Sequence, residues 1–159
     1  MTLSAADRME LHDLVCRYAA QVDDRRFDAV AGLFTDDAVL AMPAPPRELD
    51  PVVEHTGRLA IEAALAALDE VPLTCHAVLG AVFDPGATPD TAAGRVTGVA
   101  HHLTRRGERT ADLVWHLRYH DRYARAGGRW RLARRELHID FIHTQDVRRS
   151  RTDDNGGSS

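Results

Sequence analysis

The chain opens with a helical period. Leu11, Leu14, Val15, Tyr18, Ala19 and Val22 fall at 3,4 spacing, which predicts a helix over residues 4 to 22 with one apolar face. Ser4 is placed to cap it, and Asp7 three residues on completes a capping box. Asp23 and Asp24 stand where that face ends. A second short helix fits Phe27 to Phe34, Thr35-Asp36-Asp37 reads as a turn, and Ala38 to Met42 as a short strand. Residues 43 to 56 hold Pro43, Pro45, Pro46 and Pro51, which predicts a loop serving as a lid or mouth. Gly57 to Leu68 is apolar nearly all round, which predicts a buried third helix.

From Leu73 the period becomes that of strands. Thr74 to Phe83, Ala92 to Arg105, Thr110 to Arg125 and Gly128 to His143 read as four long strands. Asp84-Pro85-Gly86, Arg106-Gly107-Glu108 and Ala126-Gly127-Gly128 are the turns between them, short enough for antiparallel neighbours. Three helices followed by strands is an α+β pattern. Strands this long must bend, and a bent sheet around helices leaves a concave pocket. The domain is expected over 1–146, with a disordered polar tail over 147–159.

Composition narrows the functions. At 159 residues with 44% apolar and 28% charged content, the chain is long enough for one domain with its own core. A net charge of -4 argues against nucleic acid and anionic membrane as partners. The first ten residues lack a signal-peptide apolar run, so a cytoplasmic location is expected. All 20 basic residues are arginine, which removes a Schiff-base lysine and a Walker A loop. Cys16 and Cys75 make no disulfide framework and read as small core residues.

Nine histidines need sorting. His12 and His55 read as solvated. His116 and His120 alternate with Arg118 and Arg122 on one strand face, opposite Trp115, Leu117, Tyr119 and Tyr123, and that face reads as solvent or subunit interface. Four residues along a strand is about 13 Å, too far for one metal. His138 and His143 have opposite strand parity, and no spacing matches a zinc site, so no metal and no cofactor are expected.

His76 lies in an apolar strand, where a satisfied core histidine is the commoner outcome. His101 and His102 point to opposite faces of their strand. Gly94, Val96, Gly98, Ala100 and His102 share one face, and its small groups imply open volume in front of it. That parity puts His102 in the pocket and His101 outside. Asp23 and Asp24 sit near a helix C-terminus, where the macrodipole disfavours carboxylates, so one of them needs a polar partner. A histidine would serve, its imidazole oriented by the carboxylate.

The run RYAAQVDDRRFDAVAGLFTDDAVL, the Pro-rich stretch, GRLAI, TCHAVLG, VAHH and GGRWRLARREL resemble the SnoaL-like families of the nuclear transport factor 2-like superfamily, over about residues 5 to 143. The resemblance implies a cone-shaped barrel, a strongly bent antiparallel sheet wrapped around three N-terminal helices. It includes scytalone dehydratase, bile acid dehydratase, hexachlorocyclohexane dehydrochlorinase, ketosteroid isomerase, polyketide cyclases and non-catalytic binding modules. On the pattern of the eliminating enzymes, Asp23 and His76 form a dyad, Tyr18 and His102 join the catalytic set, and Tyr119 stands in place of a pocket amide. A pocket arginine falls on Arg134 or Arg135, and Arg135, Tyr119 and His101 are the expected substrate contacts. The dehydrochlorinase lysine on the first helix is missing here.

The resemblance thus implies a cofactor-independent lyase, isomerase or cyclase of secondary metabolism, acting on a small, partly apolar metabolite by His-Asp acid/base catalysis. Dehydration, double-bond isomerisation and ring closure all fit. The alternatives are a binding or assembly module of the same fold and a small-subunit-type partner of an oxygenase. A homodimer or higher homo-oligomer is expected, since these cones often pair through their sheets.

Overall fold

In the computed structural model, which describes residues 2–152, three helical segments lie against one six-stranded sheet. Helix α1 spans Ala5–Asp23, α2 Phe27–Ala31 and α3 Arg58–Leu65, the last continued by a 3-10 turn, Ala66–Glu70. The strands are β1 Phe34–Ala44, β2 Glu48–Thr56, β3 Leu73–Pro85, β4 Thr91–Arg106, β5 Arg109–Ala126 and β6 Arg129–Val147. Their order is β2-β1-β6-β5-β4-β3. The sheet is curled but not closed, and it forms the α+β cone of the nuclear transport factor 2-like fold. Its β1–β6 pair is parallel, so the sheet is mixed rather than purely antiparallel.

Helix α1 forms as its period predicts. Ser4 and Asp7 make the reciprocal capping box, and the six predicted apolar residues are the buried ones. Both ends are tied to the sheet. At the N-terminus, Asp7 Oδ1 accepts from Trp130 Nε1 at 3.0 Å and pairs with Arg125, whose guanidinium lies 4.5 Å from the Trp130 ring. At the C-terminus, Asp23 bonds to β3. The helix therefore has a fixed axis, and Tyr18 and Asp23 have fixed positions along it.

Three expectations change. The Pro-rich stretch over 43 to 56 is a hairpin, not a lid: Val39, Leu40, Ala41 and Met42 pair with Thr56, His55, Glu54 and Val53. Pro51 is tolerated because β2 is an edge strand that needs no donor on its free side. Helix α3 buries only Ile61 and Leu65, with Leu59 84% exposed, so it covers the core on one face. Cys75 is exposed, because its neighbours Thr74 and His76 take the inner face.

Bulges decide which side chains face inward. β3 carries an extra residue at Leu79, and its inner set passes from Thr74, His76 and Val78 to Ala81 and Phe83. β6 carries extra residues at Ala133 and Asp140. Its buried set passes from Trp130 and Leu132 to Arg135, Leu137 and Ile139. The second bulge also brings His138 and His143 to the same, outer face, contrary to the parity expected of an unbroken strand. β4 pairs without an extra residue of its own.

The strand structure ends at Val147, and Thr152 C=O accepts from Arg105. The expected tail lies mostly outside the described residues, over 153–159. Among the described residues, no helix is long and apolar enough to cross a membrane.

Candidate active site

Asp23 is the last residue of α1, where its carboxylate gains nothing from the helix dipole. Its support comes from β3. Asp23 Oδ2 accepts the His76 backbone N–H at 2.8 Å, and Oδ1 accepts the Thr74 hydroxyl at 2.9 Å. His76 Nδ1 lies 2.6 Å from the same Oδ1. Burial works to raise the Asp23 pKa, but the hydrogen bonds from His76 side chain and backbone, with the histidine's charge and Thr74, hold it below the usual carboxylate value. Asp23 is therefore ionised and accepts only. Nδ1 of neutral His76 must carry the proton, and Nε2 keeps the lone pair.

Arg25 braces this pair from behind. Its backbone is left-handed, φ 59°, an uncommon conformation for a residue with a Cβ. Its guanidinium over-determines the turn, with Nη1 donating to Thr74 Oγ1 at 2.6 Å and Nη2 to the Val71 carbonyl at 2.8 Å. The chain Arg25–Thr74–Asp23–His76 is thus continuous. Arg25 and Thr74 were not singled out from the sequence, and a surface-type arginine after a helix carries no local signal of this role.

His102 lies on β4 directly opposite Thr74, and its ring meets His76 edge-on at 5.9 Å between centroids. It also lies 4.4 Å from the Trp115 ring and is 5% exposed. Burial pushes its pKa below the ordinary histidine value, partly offset by the hydrogen bond to the Leu113 carbonyl. That carbonyl, 3.2 Å from Nδ1, only accepts, so neutral His102 also presents a lone pair on Nε2. His101 points to the opposite face, where its Nδ1 lies 2.6 Å from Asp112 Oδ2. The structure thus separates His101, expected as a substrate contact, from the other site residues, because successive strand side chains alternate.

Of the two arginines, Arg135 enters the core and Arg134 does not. Arg134 pairs with Glu136 and Glu54 on the outer face. Arg135 is fully buried, donating through Nε to Asp121 Oδ1 at 2.9 Å and through Nη2 to Oδ2 at 2.7 Å. Its guanidinium carbon sits 4.2 Å from the Tyr18 ring centroid and 4.1 Å from that of Tyr119. Burial opposes its charge, but Asp121 outweighs it and raises the arginine pKa. Arg135 Nη1 is buried with no hydrogen-bond partner among the described residues. Burial raises the pKa of Tyr18 and of Tyr119, so both stay protonated. Asp121 also accepts the Tyr123 hydroxyl at 2.6 Å. Its signal was present in the sequence, since it shares strand parity with Tyr119 and Tyr123 and is the charged member of an apolar face.

His76, Tyr18, Tyr119 and Arg135 line a common cavity with Val15, Val78 and Leu117. Its volume is about 10 Å³, room for about one water. The open volume expected in front of the small β4 residues is filled by neighbours. A Cβ on Gly94 would meet Tyr123 at 2.9 Å and Phe83 at 3.0 Å, and one on Gly98 the Ala77 carbonyl at 2.9 Å. Small residues there admit large partners and close strand contact.

Solved structures share this architecture. A candidate scytalone dehydratase from Novosphingobium aromaticivorans DSM 12444 aligns with TM-score 0.72 and 22% identity, over 91% of this chain and 90% of that one. A candidate aromatic ring hydroxylase from Novosphingobium aromaticivorans gives 0.74 and 20%, over 91% and 96%. Hexachlorocyclohexane dehydrochlorinase LinA-type3 from Novosphingobium barchaimii LL02 gives 0.70 and 14%, over 90% and 91%. At these identities the likeness is one of fold. No curated protein matches the sequence. The model of the SnoaL-like domain matches residues 4–136, nearly the whole cone from the cap of α1 into β6, and the chain belongs to that family.

Proposed function

We propose that this chain is a cofactor-independent lyase, isomerase or cyclase, in which His76 removes a proton from carbon beside a carbonyl of a small, partly apolar metabolite. The observation that carries this reading is the Asp23–His76 pair, 2.6 Å apart, with the imidazole lining the cavity. Asp23 would stabilise the imidazolium once the proton is taken. The electron pair of the broken C–H bond moves onto the carbonyl oxygen. Arg135 Nη1 and the Tyr18 hydroxyl are the donors for that oxygen, and both act in dry surroundings where their effect is large. His102, neutral with its lone pair on Nε2, fits a second acceptor better than an acid. From the enolate, loss of a β-hydroxyl with the proton returned as water gives dehydration. Reprotonation at the γ carbon gives isomerisation, and attack on a second carbonyl gives ring closure. Elimination accords with the names of two of the structural relatives.

The small cavity favours a second reading, a binding or assembly module in which Asp23–His76 is a structural hydrogen bond. Pockets for small ligands are ~300–1,000 Å³, so turnover here requires the lining side chains to move. Proton exchange separates the two readings, because removal of the α proton, which exchange reports, begins all three outcomes. A panel of β-hydroxy and β,γ-unsaturated carbonyl compounds is incubated with the protein in D₂O and followed by NMR. The enzyme reading expects accelerated exchange at the α carbon. It expects His76→Ala and Asp23→Asn each to lower it by about 10²–10⁴, with circular dichroism unchanged. Exchange at the solvent rate throughout, or undiminished in His76→Ala, leaves the module.

A further inference from the structure

The outer face of the sheet carries a cluster that this site does not use. His120 on β5 stands opposite Glu136 on β6, and His138 lies two residues farther along β6. Directly opposed and diagonal side chains on one face of an antiparallel pair are neighbours. The His120 and His138 rings are 4.5 Å apart between centroids, and His138 Nε2 is 3.6 Å from Glu136 Oε2. One donor atom from each of the three lies within 4.8 Å of the others. We propose that His120, Glu136 and His138 bind a divalent first-row transition ion of the zinc type.

Two of the three side chains are prepared for that role. His138 Nε2 is buried and has no hydrogen-bond partner among the described residues. The other nitrogen, Nδ1, lies 3.0 Å from Asp50 Oδ1 on β2. A carboxylate there holds the proton on Nδ1 and turns the Nε2 lone pair toward the cluster, the usual support of a metal-bound histidine. Arg134 Nε donates to Glu136 Oε1 at 2.6 Å, leaving Oε2 on the cluster side. Two imidazoles and one carboxylate suit zinc-type ions rather than magnesium or calcium. Ligand atoms ~2.1 Å from a tetrahedral ion stand about 3.4 Å apart, so side-chain rotations of about an ångström close the set. His120, Glu136, Arg122 and Arg134 also line a groove of about 700 Å³, which gives a fourth position access to water or a small anion. Spacing along one strand cannot reveal this set, because it is assembled across β5 and β6.

The test uses the full chain without a histidine tag and Zn²⁺ titrated by calorimetry, with Co²⁺ absorption as a second probe. One ion per chain in the micromolar range is expected, with the intense visible bands of four-coordinate Co²⁺. His120→Ala and His138→Ala should each weaken binding by more than about tenfold, and Asp50→Asn by about 10–100-fold. His143→Ala, whose ring stacks on His116 instead, should leave it unchanged. Circular dichroism establishes that the variants are folded. No binding below millimolar Zn²⁺, equal loss in His143→Ala, or one ion per two chains would each overturn the site.

Discussion

Asp121→Ala removes one partner of a charge pair whose side chains are both 0% exposed. Arg135 would lose both of its hydrogen-bonded contacts to the carboxylate, and the buried Tyr123 hydroxyl would lose its acceptor. Breaking a buried pair from one side costs about 3–5 kcal/mol, because the remaining charge is left unsolvated. A buried hydroxyl without its partner adds about 1–3 kcal/mol. Against a total stability of about 5–15 kcal/mol this is a large fraction. A chain of this size loses about 2–4 °C of melting temperature per kcal/mol, so the variant should melt roughly 8–30 °C below wild type. Replacing both partners, Asp121→Leu with Arg135→Met, removes the charges together and should recover most of the loss. Calorimetry or urea unfolding on wild type, Asp121→Leu, Arg135→Met and the double variant reads the coupling directly. An Asp121→Ala protein that melts within about 2 °C of wild type would refute the buried-pair argument. The double variant has a second use: if it folds well but no longer accelerates α-proton exchange, Arg135 serves the reaction beyond holding the fold.

Asp23 has a pKa lowered on folding. Its contribution is therefore present above the unfolded value of about 3.9 and is lost as pH falls through the folded one. Asp23→Asn should flatten the acid limb of stability against pH measured by urea unfolding, and an unchanged limb would count against the network. His102 has a pKa lowered by burial, so the unfolded chain binds the proton more tightly. Stability should fall as pH drops below about 6.5, and His102→Phe should remove that part of the slope. Phe141 is 54% exposed on the outer face, stacked on His116 at 4.0 Å. A homodimer covering it is expected by light scattering, with Phe141→Arg shifting the equilibrium to monomer. A wild-type monomer at micromolar concentration would end that expectation.

What the sequence shows of this site depends on whether strand alternation is unbroken. His102 was assignable from parity because β4 carries no extra residue of its own, so Ala92, Val96, Ala100 and His102 stay on the buried face together. Helix α1 was equally legible, since its apolar spacing needs no partner to be recognised. Arg135 was not assignable, because the strand slips at Ala133. The trace of the slip is in the apolar residues, where Trp130 and Leu132 share one parity and Leu137 and Ile139 the other. That pattern requires a bulge between 132 and 137 but leaves its place open, and only its place tells Arg134 from Arg135. The Pro-rich hairpin was hidden for another reason: proline marks a loop unless the strand is an edge, and edges are a property of the whole sheet. The cone's interior was misread because glycine in a strand signals close approach as readily as open space. At Gly94 and Gly98 the approach comes from Tyr123, Phe83 and the Ala77 carbonyl. Function in this chain turns on packing as much as on the Asp23–His76 pair. Asp23 and His76 meet through two hydrogen bonds, with Thr74 donating a third to the same carboxylate, whereas access to them depends on whether Tyr18, Tyr119 and their neighbours can part.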